Sequence, residues 1–84
     1  MSGNDVRFLP FEEALKIVGA IQEEEDIEDV HHRIFTVYSK EDRTLCWFDF
    51  DEVISAVQPV KGDKGREQVT EYILHRIPEW VLEI

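Results

Sequence analysis

At 84 residues, with 43% hydrophobic and 11% aromatic side chains, the chain has material for one packed core and no second domain. Nine Lys and Arg against nineteen Asp and Glu leave a net charge of −10, which repels phosphate backbones and argues against direct nucleic-acid binding. Cys46 is the lone cysteine, so no internal disulfide can form, and no apolar run approaches the ~20 residues a membrane span needs.

These features read as a single domain over residues 1–84, with residues 1–7 expected to be disordered. Met1-Ser2-Gly3-Asn4-Asp5 has neither a basic start nor an apolar run, so no secretory signal is expected and the cytoplasm is the default location. The negative charge is uneven. Residues 1–42 carry a net of −7 and residues 43–84 a net of −3, and six of the seven positions from Glu23 to Asp29 are acidic.

The first element reads as a helix. Pro10 suits a first helical position, and Phe11, Ala14, Leu15, Val18 and Ile21 recur at three- and four-residue spacing with Ile17 beside them. Glu12 and Glu13 complement the helix dipole at this end, whereas Glu23 to Asp26 oppose it at the other. The acidic run is therefore expected as a fraying last turn and a solvated loop. A hairpin follows. His32–Tyr38 and Thr44–Phe50 are rich in β-branched and aromatic residues, with the polar turn Ser39–Arg43 between them. Both strands carry apolar residues at both parities, which predicts helices over one face and a second face that is itself partly buried.

Asp49 has the chemistry of a helix cap, with Glu52 three residues on and Phe48 and Val53 placed as a hydrophobic staple. A helix over Asp51–Val57, ended by Pro59, follows from this; a short strand is the competing reading, because Val53, Ile54 and Val57 are β-branched. Lys61–Arg66 reads as a loop in which conformational freedom explains Gly62 and Gly65. A last helix is expected from Arg66 to Arg76, with Val69, Tyr72, Ile73 and Ile77 inward, and Pro78 ending it. Trp80–Ile84 reads either as an extended tail on the sheet edge or as a helical turn opened by Pro78. The fold class expected is α+β, in the order α-β-β-α-α with or without a C-terminal strand, helices packed on one face of a small antiparallel sheet.

Sites of known chemistry are poorly represented. Glu28, Asp29, His31 and His32 have metal-ligating atoms, but adjacent histidines on a strand point to opposite faces. Asp49, Asp51 and Glu52 lack the glycine-centred calcium loop, and capping explains Asp49 and Glu52. Cys46 lies mid-strand as a small core residue, no serine has the setting of a nucleophile, and the Gly62–Gly65 loop lacks the Gly-Lys-Ser/Thr ending of a phosphate loop. No catalytic residue, cofactor or metal is expected. The aromatics, Trp47 and Trp80 included, are expected mostly in the core.

What stands out is the acidic run. Glu23, Glu24, Glu25, Asp26, Glu28 and Asp29 form the candidate partner-binding set, suited to Lys and Arg on a basic protein, including one that otherwise grips DNA phosphates. Immunity proteins, antitoxins and phage-borne inhibitors share this physical type. The function expected is inhibition or regulation of a basic partner, such as a nucleic-acid-handling protein or toxin. A non-catalytic subunit docking through an apolar face, or a divalent-metal binder, are the alternatives.

Overall fold

The computed structural model describes residues 7–29 and 31–83. Helix α1 (Phe11–Ile17) leads into strand β1 (Val18–Glu25), then β2 (Arg33–Ser39), β3 (Thr44–Asp49), α2 (Phe50–Val57), α3 (Asp63–Leu74) and a terminal 3-10 turn at Glu79–Glu83. The three strands form one antiparallel sheet in the order β1-β2-β3, and the three helices pack against it. The α+β class and the layer arrangement are as expected. The expectation of disorder over residues 1–7 lies, Arg7 apart, outside the described residues.

The main departure is at the first element. Only Phe11–Ile17 is helical, and the segment expected as the helix end and acidic loop is strand β1 instead. Ala14 is fully buried and Ile17 half-buried, while Leu15 turns out to solvent. About three turns of apolar spacing, from Phe11 to Ile21, are too few to carry a helix on their own, and residues 18–25 pair with β2 instead. Gly19 permits the turn into the strand: a Cβ there would stand 2.6 Å from the Ser39 carbonyl oxygen, and the ladder is irregular between Val18 and Ala20.

The hairpin of β2 and β3 forms where expected. Asp42 takes a positive φ of 65° in the turn, and Ser39 Oγ accepts the backbone N–H groups of Glu41 and Arg43. Asp49 caps α2, its Oδ1 accepting N–H from Asp51 at 2.8 Å and from Glu52 at 3.3 Å, which settles residues 51–57 as helix. Gln58 ends α2 in the left-handed region, since Pro59 bars the residue before it from continuing the helix.

Helix α3 begins three residues before the expected Arg66, so Gly65 lies inside it. Gly62, with φ of 88°, is the conformational glycine. Gly65 is different: a Cβ on it would fall 1.8 Å from the Val60 carbonyl oxygen. It is there because the loop of Pro59 and Val60 crosses directly over the helix. Val69, Ile73 and Ile77 are buried and Tyr72 half-buried, as the spacing predicts. Pro78 pairs with Phe8 and opens the 3-10 turn, so the tail is the helical alternative and buries Val81.

The core lies between sheet and helices. Phe35, Val37 and Cys46 meet Val53, Val69 and Ile73, with Leu9, Ala14 and Ile77 closing one side. Phe35 stacks on Phe50 with ring centroids 5.2 Å apart, and Phe11 on His75 at 4.5 Å.

Candidate functional site

Because β1 is a strand, its acids alternate between the two faces of the sheet. Ile21, Glu23 and Glu25 pair with Val37, Phe35 and Arg33 and share the helix-covered face. Gln22 and Glu24 pair with Thr36 and Ile34 and share the opposite face. That opposite face reads in three cross-strand rows: Ala20, Tyr38 and Thr44; Gln22, Thr36 and Trp47; Glu24, Ile34 and Asp49. None of these nine positions is Lys or Arg.

The face is not a hydrophobic floor awaiting a layer. Glu24 lies across its centre, with Tyr38 Oη donating to one carboxylate oxygen at 2.6 Å and Thr36 Oγ1 to the other at 2.7 Å. The Tyr38 bond first, and the Thr36 bond second, hold the Glu24 carboxyl below its ordinary 4.5, against a smaller opposing push from desolvation. The same contact raises the Tyr38 phenol above 10. Glu24 therefore keeps a full negative charge in a fixed position. Beside it Trp47 stands 57% exposed, and Trp80 is exposed too, so the core expectation fails for both tryptophans.

At one end of the face His32 ties the outer strands together. Its Nδ1 lies 3.1 Å from Asp26 Oδ2 and its Nε2 3.1 Å from Asp49 Oδ2. The hydrogen bonds to Asp26 and then Asp49 raise the His32 pKa above 6.5. Asp26 is lowered from 3.8, first by the Glu28 N–H and then by His32. For Asp49 desolvation pushes upward, but the bonds from His32, Glu52 and Asp51 outweigh it and the net shift is downward. With both ring nitrogens engaged by carboxylates, protonated His32 is a clamp between the β1–β2 turn and the start of α2.

The sequence-derived partner-binding set is thus divided. Glu23 pairs with Arg33, Glu24 with Tyr38 and Thr36, and Asp26 with His32 and the Glu28 N–H. Asp29 accepts the His31 N–H in the same turn. Glu25, Glu28 and Asp29 stay exposed, alongside Ile27, which is 97% exposed at the tip. The run is a folded edge strand and turn, not a frayed helix end. Residues that the reading of the sequence left out of the site are His32, Tyr38, Trp47 and Asp49. A period-two reading of residues 18–25 would have set Gln22 and Glu24 on their face.

Two further features bear on chemistry. Cys46 is buried, and burial raises its thiol to about 11, so it stays protonated at neutral pH. Among the described residues no group of three or more His, Cys, Asp or Glu is arranged to hold a metal ion, and no helix is long and apolar enough to cross a membrane. On the helix-covered side, a groove of about 490 Å³ runs beneath β1 between that strand and helices α2 and α3; Ile21, Phe35, Phe50, Ile54 and Val69 give it an apolar lining, with Glu23, Arg66 and Thr70 polar. Searches against protein-family models, curated proteins and solved structures find no match to this chain.

Proposed function

We propose that this chain is a protein-interaction module that binds a basic protein, inhibiting or regulating it, through the acidic strand β1, its turn and the adjoining sheet face. One observation carries the reading: an exposed Trp47 stands on a face where Glu24 and Asp49 are fixed by hydrogen bonds and no Lys or Arg occupies the cross-strand rows. An exposed aromatic bordered by ordered polar groups has the anatomy of a binding hot spot, and unbalanced carboxylates select a partner rich in Lys and Arg. Partners of this kind include nucleases, DNA-binding proteins and toxins, whose working surfaces are basic because their substrate is anionic.

Glu24 and Asp26 are poor targets for a test, since removing them strips donors on Tyr38, Thr36 and His32 of their acceptors. Glu25, Glu28 and Trp47 are exposed and can be changed with less effect on the fold. Affinity capture at low and high salt, read by mass spectrometry, should recover a basic protein that high salt releases. Trp47→Ala should weaken that complex by at least ~30-fold, the cost of a hot-spot residue worth ~2 kcal/mol, and Glu25→Gln with Glu28→Gln should flatten its salt dependence. Unchanged capture by both variants rejects this surface.

A second reading rests on the terminal segments, where Phe8, Trp80 and Leu82 are exposed. They suit a subunit docking through an apolar patch. Its mark is salt-insensitive association lost in Trp80→Ser with Leu82→Ser, which leaves buried Val81 in place.

A further inference from the structure

β1 is an edge strand. β2 takes one side of its backbone, and among the described residues no other backbone group bonds to Gly19–Glu25. Edges of this kind template the pairing of another extended chain. Directly beneath this edge lies the apolar groove of about 490 Å³ between β1 and helices α2 and α3. We infer, building on the function proposed above, that the basic partner is held as an extended segment that adds to the outer edge of β1, with alternate side chains in the groove.

The two faces of β1 dictate the sequence of that segment. Side chains level with Ile21 and Glu23 lie on the helix-covered side and enter a groove floored by Phe35, Phe50 and Ile54. There Arg66 stands among the lining residues with Glu23, and Glu23 is already paired with Arg33, so the groove has no unmatched negative charge to offer a lysine. It takes apolar side chains. Side chains level with Gln22 and Glu24 lie on the opposite face, where no Lys or Arg in the rows offsets Glu24, and where Asp26 and Asp49 share the single positive charge of His32, leaving net negative charge. These positions take Lys or Arg. The recognised pattern is therefore alternation of apolar and basic residues, and a shift by one residue would place lysines in the groove.

Charge also excludes the obvious competitor, a second copy. Glu23, Glu24 and Glu25 of one strand would meet like charge on a molecule of net charge −10, and like charges across a strand pair are destabilising. Of these three, Glu24 is the one on the face that meets the basic residues of the proposed segment, so it repels another copy and attracts that segment.

The test uses the full chain and a short synthetic peptide alternating Lys with Val or Thr, beside a peptide of the same composition with its lysines in one block. Each is titrated by fluorescence anisotropy at low salt. The alternating peptide should bind on the order of tenfold tighter than the block peptide, a difference of ~1.4 kcal/mol. N-methylating every second amide should abolish binding in one phase, where those amides face β1, and spare it in the other. Thr70→Arg, an exposed change at the groove wall, should weaken the alternating peptide. Equal binding by alternating and block peptides, or tolerance of N-methylation in both phases, overturns strand addition while leaving the basic-partner reading intact. If no lysine peptide binds, strand addition also fails, and the basic-partner reading falls with it only if capture is unchanged by the Trp47, Glu25 and Glu28 variants. Sedimentation showing a β1-mediated dimer of the free chain overturns the inference in favour of self-pairing.

Discussion

Replacing Gly65 by Ala tests whether its place in α3 is a matter of backbone freedom or of space. Helix propensity favours Ala over Gly by about 1 kcal/mol, so at an unconstrained helical position the change would stabilise the fold. Here the new Cβ would sit 1.8 Å from the Val60 carbonyl oxygen, when 3.0 Å is the closest approach real Cβ atoms show. The obstacle is backbone, so helix and loop must part by at least 1.2 Å (from 1.8 to 3.0 Å). Forced overpacking of this sort costs ~1–3 kcal/mol, and net of the propensity gain a loss near 2 kcal/mol is expected at the upper end of that range. For a domain of this size each kcal/mol moves the melting temperature by about 4–8 °C, so Tm should fall by roughly 8–16 °C. Urea unfolding followed by far-ultraviolet circular dichroism supplies the free energy, and Thr70→Ala on an exposed position of the same helix should gain up to about 0.7 kcal/mol. A Gly65→Ala protein as stable as the parent, or more so, would refute the steric account and return Gly65 to the role of a loop glycine. Gly65 and Val60 also line the groove beneath β1, so the same variant should alter peptide binding there.

His32 should give the fold a pH signature. Its raised pKa means the clamp contributes fully below 6.5 and is lost as pH rises through the higher folded value, while lowered Asp26 and Asp49 contribute above 3.8 and lose their contribution as pH falls through their folded values. The urea midpoint of the parent should therefore decline on the alkaline side of 6.5, and His32→Gln should remove that decline; a parallel decline in both proteins would locate the effect elsewhere. At the edge strand, Glu23→Thr with Glu25→Thr should increase self-association over the parent at roughly micromolar to millimolar concentration, because β-branched residues replace the charges that discourage edge pairing. Sedimentation velocity of parent and variant checks this, and a variant that associates no more than the parent would show that charge on β1 does not oppose edge pairing.

Much of the fold was legible because local signals and tertiary packing agreed. Asp49 has a capping side chain exactly where the apolar strand pattern stops, and Val69, Ile73 and Ile77 bury one stripe at helical spacing. The residues from Val18 to Glu25 were not legible, because two signals conflicted. Three consecutive glutamates favour helix and are depleted in strands, and Phe11, Ala14, Val18 and Ile21 fit a helical stripe. The deciding influence was non-local: β2 had a free edge, and Gly19 allowed the chain to approach the Ser39 carbonyl closely enough to pair with it. Gly65 was misread for the same reason. A glycine signals a turn when only its neighbours in sequence are considered, and the crossing Pro59–Val60 backbone is not among them in any pattern the sequence displays.

The internal bonds of the acidic run strengthen the case for a binding surface. Thr36 and Tyr38 are neutral donors, so they fix Glu24 without cancelling its charge. Arg33 offsets Glu23, and His32, when protonated, offsets one of the two aspartates it joins. Glu25, Glu28 and Asp29 have no cation within ion-pair distance among the described residues. A charge held in place loses less conformational freedom on meeting a lysine than one on a free side chain, and ordering costs of ~0.5–1.5 kcal/mol per mobile side chain are what commonly cancel surface ion pairs. Glu24 accepts the hydroxyls of buried Thr36 and half-buried Tyr38, and under the proposed function that same arrangement presents an ordered carboxylate, on the face that carries exposed Trp47, to an incoming Lys or Arg.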